Sequence, residues 1–162
     1  GFSEVWPVNY NCPGQASCAG NAGEIDAFCE AIKAAGGRAV KLPVSGAFHT
    51  PYMKDVEPVL RTALEKMPLQ APQIPVYANR TAGLYPADRE GITSLLSEQV
   101  CHAVRWEDTL RAMAADGIDT FVEVGAGATL TGFVRRTLPE ATALTVNDFP
   151  SYEAVLKELL GD

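Results

Sequence analysis

The stretch Leu42 to Met53, Leu-Pro-Val-Ser-Gly-Ala-Phe-His-Thr-Pro-Tyr-Met, constrains the fold more than any other part of the chain. Val44 and its neighbours have the character of a strand end, and Ser45-Gly46 break that strand. Thr50-Pro51 reads as a helix start. A threonine oxygen can accept an otherwise orphaned N–H, and a proline at the first helical position lacks the N–H that would go unpaired. A strand that gives way so abruptly to a helix belongs to an α/β architecture. His49, one of two histidines, falls between strand end and helix start. Catalytic groups are commonly presented there, and a histidine that only closes the loop fits the same position.

Hydrophobic periodicity extends this frame in both directions. Val5 to Tyr10 and Gln15 to Ala19 read as two strands joined by the turn signal Pro13-Gly14. Asn21 is placed to cap a helix over 22–35, in which Ile25, Phe28, Cys29 and Ile32 share a face. Gly36-Gly37 ends that helix, and Arg38 to Val44 is expected to return as a strand. The resulting β-β-α-β unit is too small to bury a core alone. After the break, a helix is expected from Thr50 to Met67. Ile74 to Ala78 reads as a strand buried on both faces, Asn79 to Arg89 as a polar loop, and Thr93 to Val100 and Trp106 to Ala115 as helices. Thr120 to Val124 is a second buried-type strand, followed by Gly125-Ala126-Gly127 and a helix from Thr129 to Leu138. Leu144 to Asn147 is a short strand, and Ser151 is placed to cap a last helix ending at Leu160. Strands that alternate with helices through tight glycine turns predict a parallel sheet. Too few strands are present to complete one, so the chain reads as an incomplete domain.

The net charge of −7 argues against nucleic acid and anionic membranes as partners. No apolar run is long enough for a bilayer span. The first residues lack a basic segment of the kind that precedes a secretory h-region, and the missing initiator Met suggests a start within a longer protein; a cytoplasmic location follows as the expectation. The four cysteines, Cys12, Cys18, Cys29 and Cys101, fit no zinc spacing. A Cys12–Cys18 disulfide across the hairpin remains open, but reduced, mostly buried thiols are the favoured reading.

Candidate chemistry beyond His49 is sparse. There is no Gly-x-Ser-x-Gly elbow, and Ser45 sits before a glycine, a poor place for a nucleophile. Cys101 beside His102 invites a thiolate–imidazolium pair, yet neighbours on a helix point in different directions, so a structural role is expected. Gly125-Ala126-Gly127 lacks the third glycine of a dinucleotide fingerprint and reads as a tight turn. Glu123 is expected to be a structural acceptor, and no metal-ligand spacing stands out.

Taken together, the motifs resemble malonyl-CoA:acyl carrier protein transacylases. The resemblance is carried by Asn9-Tyr10-Asn11-Cys12-Pro13-Gly14-Gln15, by Val44 to Met53, by Gln99 to Trp106, and by Glu123 to Gly127 with Leu130-Thr131-Gly132. Acyltransferase domains of polyketide synthases share the pattern. The resemblance implies the C-terminal part of an α/β-hydrolase-like parallel-sheet domain (45–162) plus part of a ferredoxin-like α+β subdomain (1–44). It implies a serine acyltransferase in which His49 is the catalytic base and the main-chain carbonyl of Gln99 holds its other ring nitrogen. Asn11 would line the cleft, and Phe48, just before the histidine, matches the malonyl-type signature. Substrates would be malonyl-CoA and acyl carrier protein, with CoA and phosphopantetheine as parts of substrates and no metal or separate cofactor. The basic candidates for carrier docking are Lys33, Arg38, Lys41, Lys54 and Arg61.

The family's serine elbow, its carboxylate-binding arginine and its N-terminal glutamine turn are all missing here. The chain thus resembles a C-terminal half that needs the missing N-terminal half and is inactive alone. The rival expectations are a fragment of a polyketide synthase acyltransferase and a non-catalytic remnant or binding module.

Overall fold

The computed structural model describes residues 1–44 and 46–161. It opens with an antiparallel hairpin, β1 (Val5–Cys12) and β2 (Gln15–Gly20). Gly14 makes the turn at φ 74°, a conformation that costs glycine nothing and other residues a Cβ clash. Helix α1 (Ala22–Ala34) follows, with Asn21 accepting from the Gly23 N–H as its cap.

The expected strand from Arg38 to Val44 is not formed. Pro43 has no N–H to give a ladder, and the Val44 N–H turns back to the Leu42 carbonyl at 2.8 Å. The helix expected from Thr50 to Met67 divides in two: a 3-10 turn, Pro51–Val56, and α2 (Glu57–Leu64). Pro58 is the cause. It cannot donate to the Lys54 carbonyl, which instead accepts the tighter bond from the Glu57 N–H.

Proline also shortens the next strand. Ile74 to Ala78 contains Pro75, and only β3 (Tyr77–Ala78) pairs, antiparallel with β4 (Gly83–Leu84), inside what reads in sequence as a loop. Ile74 is 75% exposed, so the run is not buried on both faces. Helix α3 (Arg89–Glu98) starts earlier than its apolar pattern, because Asp88 accepts from the Gly91 N–H. It passes into a 3-10 turn, Gln99–Cys101, and then α4 (Trp106–Ala115), closed by Gly117.

β5 (Thr120–Val124), α5 (Thr129–Thr137) and β6 (Thr142–Val146) form a parallel strand–helix–strand unit in the register Thr120↔Thr142 to Val124↔Val146. Gly125 and Gly127, at φ 142° and 95°, make the intervening turn. β5 was expected to be buried. Among the described residues it pairs only with β6, and Val124 stands 77% exposed. Helix α6 (Phe149–Leu160) is capped by Asp148 rather than Ser151. Asp148 accepts from the Ser151 N–H, and the Ser151 hydroxyl accepts from the Asp148 N–H, a reciprocal capping box.

The core gathers where α4 and α5 meet β6. Leu110, Val134 and Ala143 are its buried centre, with Trp106, Phe121 and Phe133 packed around them. The hairpin is tied to this body. The Tyr10 N–H donates to the Val104 carbonyl at 2.9 Å, and the Val104 N–H donates to the Val8 carbonyl at 2.8 Å. Arg136 on α5 donates to the Gln15 side chain and to the Pro13 carbonyl of the hairpin turn.

Candidate active site

His49 is set by two short segments. Its own segment is fixed by Thr50, which is fully buried and whose hydroxyl donates to the Ala47 carbonyl at 2.6 Å and accepts from the Tyr52 N–H. This turns the chain into the Pro51–Val56 helix with His49 at φ 66°. A non-glycine residue in that left-handed region is strained by about 1–3 kcal/mol, and such strain is found where a site over-determines it.

The second segment is the end of α3 and its 3-10 turn. A helix end leaves its last carbonyls without internal partners, and here His49 supplies them. The His49 N–H donates to the Val100 carbonyl at 2.8 Å. The ring Nδ1 lies 2.8 Å from the Gln99 carbonyl and 3.0 Å from the His102 carbonyl. A carbonyl oxygen only accepts, so Nδ1 carries a proton, and in the neutral ring the lone pair is left on Nε2. Among the described residues, no hydrogen bond occupies Nε2. The geometry is that of an oriented general base.

The structure therefore brings His49 and Gln99 together, and through the backbone of Gln99. The Gln99 side chain does a separate job: its amide donates to the Tyr85 hydroxyl at 2.7 Å, and the Tyr85 N–H donates to the Val76 carbonyl. Burial pushes the Tyr85 phenol up, and the Gln99 amide partly opposes that. Sequence reasoning missed Tyr85, Val100 and the second carbonyl at His102. A backbone acceptor has no residue-type signature, so no signal in the sequence pointed to the last two.

Phe48 stands beside the base, 53% exposed, with its ring against Gly46; a Cβ on Gly46 would sit 2.4 Å from that ring. Asn11, near the end of β1, donates to the Ser17 hydroxyl across the hairpin at 3.5 Å and makes no hydrogen bond to His49. Ser45, discounted above as a nucleophile, lies outside the described residues.

Cys101 and His102 do meet, with Sγ 3.4 Å from Nδ1, contrary to the argument from helical directions. The reason is that His102 has left the helix for extended backbone at φ −125° and ψ 149°. The pair is still no thiolate–imidazolium. Burial pushes the Cys101 thiol up, and the Glu57 carboxylate at 3.2 Å pushes it further. His102 Nδ1 donates to the Glu98 carbonyl at 2.7 Å. All four cysteines are free, and only Cys12 is buried; it faces Gln15, not Cys18, across the hairpin, so the expectation of mostly buried thiols fails.

Glu123 is a structural acceptor. Its carboxylate takes the Leu130 N–H at 3.1 Å and the Thr131 N–H at 2.6 Å, closing the start of α5. Burial by itself would raise its pKa, but the Thr131 amide and hydroxyl and the neighbouring N–H groups together hold it below the usual range. Among the described residues, no cluster of His, Cys, Asp and Glu is placed to hold a metal, and no helix is long and apolar enough to cross a membrane. Of the basic candidates, Lys33 pairs with Glu30, Lys41 with Asp26, and Arg61 with Glu65 and Glu90.

A histidine whose ring Nδ1 is held by the Gln99 and His102 main-chain carbonyls is an oriented base, of the kind that can serve a hydroxyl or thiol nucleophile. The comparisons fix the family. The acyl transferase domain model matches residues 1–157, and the chain belongs to that family. It is 36% identical over 156 residues to the malonyl CoA-acyl carrier protein transacylase of Escherichia coli K12, covering 96% of this chain and 50% of that protein. The Bacillus subtilis protein of the same name is 32% identical over 153 residues, covering 94% of this chain and 48% of that one. Among solved structures, an acyl-carrier-protein S-malonyltransferase from Burkholderia pseudomallei superimposes with a TM-score of 0.90 at 32% identity, over 94% of this chain and 50% of that one. A malonyl-transacylase solved in complex with a type II polyketide synthase acyl-carrier protein gives 0.91 at 34% identity, over 95% of this chain and 50% of that one. The chain spans about half the length of the curated relatives it matches.

Proposed function

We propose that this chain is the base-bearing part of a cytoplasmic malonyl-CoA:acyl carrier protein transacylase of fatty acid biosynthesis, with residues 1–44 contributing to a small ferredoxin-like subdomain. The observation that carries the reading is the locked His49 ring, with Nε2 left as the acceptor. In the reaction, Nε2 takes the proton of a serine hydroxyl as that oxygen attacks the malonyl thioester carbon. The carbon–sulfur bond breaks, and the proton passes to the departing CoA sulfur. In the second half, Nε2 takes the proton of the phosphopantetheine thiol as its sulfur attacks the malonyl-serine ester, then returns it to the serine oxygen. Gln99 holds the base through its carbonyl. Phe48 stands beside it at the acyl group, and Asn11 lines the cleft. The serine belongs to the complementary half of the fold, so the chain alone is inactive.

The test is complementation. The chain is co-expressed with the N-terminal half of the Escherichia coli relative, and malonyl transfer to acyl carrier protein is measured. Transfer is expected from the pair only, and His49→Ala is expected to cut it by about a hundredfold or more. Transfer that survives His49→Ala would overturn the assignment of the base.

A further inference from the structure

Three chain segments converge beside the segment that holds His49. The Arg105 N–H donates to the Asn79 carbonyl at 2.8 Å, which sets Arg80 and Arg105 side by side. The Tyr10 N–H donates to the Val104 carbonyl at 2.9 Å, which brings in the hairpin. Between them lies an open groove of about 710 Å³ lined by Tyr10, Arg80, Thr81, His102, Arg105 and Asp108, with Ala103 also at its surface. Its volume falls within the range of small-molecule sites, about 300–1,000 Å³.

The charges in the groove differ from the rest of the chain. Overall the net charge is −7; here two guanidiniums stand close together, each paired with one carboxylate, Arg80 with Glu98 and Arg105 with Asp108. Each guanidinium is aimed by an acid and keeps donors to spare. Arg80 is held through one nitrogen by Glu98, itself anchored by the Ser94 hydroxyl. Arg105 meets a single oxygen of Asp108 with Nε at 2.9 Å and one Nη at 2.8 Å. A guanidinium has five N–H donors in a rigid fork, so both arginines still present N–H groups. The Thr81 hydroxyl and the Tyr10 phenol add neutral donors. Two forked cations and two hydroxyls around one open groove are the donor set of a phosphate site.

The groove's position fits a particular phosphate. His102 both lines it and offers the carbonyl that holds His49 Nδ1. From His102 to Arg105 the chain runs extended through the bridge at Val104, about 10 Å for three residues. A phosphate on Arg80 and Arg105 is therefore set back from the reacting thioester, as the phosphate of a long, flexible thiol arm must be. We propose that this groove binds the phosphate of the phosphopantetheine arm, the chemistry that CoA and a loaded carrier protein share. The identity of the arm rests on the thioester reading of His49; the anion site rests on the groove alone.

The test is a direct binding measurement that needs no turnover. Isotope-labelled chain, paired with its unlabelled complement, is titrated with phosphopantetheine, with pantetheine lacking the phosphate, with CoA and with holo acyl carrier protein, while the arginine Nε–H resonances are followed. Phosphopantetheine is expected to move the Arg80 and Arg105 signals and to bind at least about tenfold more tightly than pantetheine, since a charge-assisted contact of this kind is worth roughly that factor. Arg80→Gln with Arg105→Gln should abolish the difference. Should the double variant misfold, Arg80→Lys and Arg105→Lys singly should each reduce it, because lysine keeps the charge and loses the fork. A response to CoA alone assigns the groove to the donor substrate, and a response to both CoA and holo carrier assigns it to the shared arm. Equal affinity for phosphopantetheine and pantetheine, or unchanged binding in the variants, overturns the proposal. Failure of malonyl transfer in the complemented pair, with phosphate binding intact, would instead count against the acyl-transfer reading and leave the groove standing.

Discussion

Glu123 gives a prediction that depends on no substrate. Its carboxylate receives the Leu130 and Thr131 N–H groups, at 3.1 and 2.6 Å, at the start of α5. Glutamine keeps one acceptor oxygen but turns an NH2 group toward the other N–H, donor against donor. A hydrogen bond to a charged group contributes about 1.5–3 kcal/mol, and a lost helix cap costs about 0.5–2 kcal/mol. Glu123→Gln should therefore lose about 1–2 kcal/mol near neutral pH. The pH dependence has a definite sign. The folded carboxyl titrates below its ordinary value, near 4.3 in an unfolded chain. Its contribution is then complete above that value and is lost as pH falls through the lower, folded one. Denaturant curves of the chain paired with its complement, read by tryptophan fluorescence, suit the measurement, because Trp106 packs on the core that α5 helps to build. The gap between wild type and Glu123→Gln should be constant from neutral pH down to about pH 5 and close in more acid solution. A gap of the same size at pH 3 and pH 7, or no gap at all, would refute the account of Glu123 as an ionised cap.

Phe48→Ser should lower stability by only about 1 kcal/mol, because full burial of such a ring is worth about 1.5–3 kcal/mol and this one is 53% exposed. In the complemented enzyme it should narrow the preference for malonyl-CoA over methylmalonyl-CoA by up to a few kcal/mol, about what one methyl group can supply; an unchanged ratio with a lower melting temperature would make Phe48 structural. At position 49 glycine should be more stable than alanine, by about 1 kcal/mol, since only glycine is unstrained at φ 66°. Equal melting temperatures for His49→Gly and His49→Ala would show that the backbone there relaxes. The chain without its complement should self-associate through exposed Val122, Val124, Ile74 and Val76, and a monomer on sizing that unfolds cooperatively would contradict this.

How far the sequence spoke depended on whether a feature was carried by a side chain or by the backbone. The hairpin, the Asn21 cap, the helix Trp106–Ala115 and the strand–glycine–helix unit after Thr120 were legible, because each has residue types with one good place to sit. Proline decided three of the failures. Pro43, Pro58 and Pro75 each interrupt an apolar pattern that otherwise reads as continuous, and the periodicity outweighed the missing N–H. Asp148 and Ser151 are both good cap formers, and only the hydrogen bonds show that the aspartate is the cap and the serine its N3 partner. At the site, His49 declared itself by residue type and position. Gln99 entered only through the family resemblance, since what it offers His49 is a carbonyl that any residue could supply.

That difference bears on how the base is made. Both of His49's hydrogen-bonding N–H groups go to carbonyls at a helix end, and its strained backbone is held by the Thr50 cap on one side and by the Val100 carbonyl on the other. None of these partners comes from outside the two segments 46–56 and 98–104. The proton is therefore assigned to Nδ1, and Nε2 is aimed, by local folding of this chain alone. In the protease triads a buried aspartate performs the same orientation and brings a full negative charge with it. Here neutral carbonyls do the work, so the ring is fixed without a buried carboxylate that would need its own partners. A complementary half of the fold would then need to contribute a nucleophile and an oxyanion site, but not the alignment of the base.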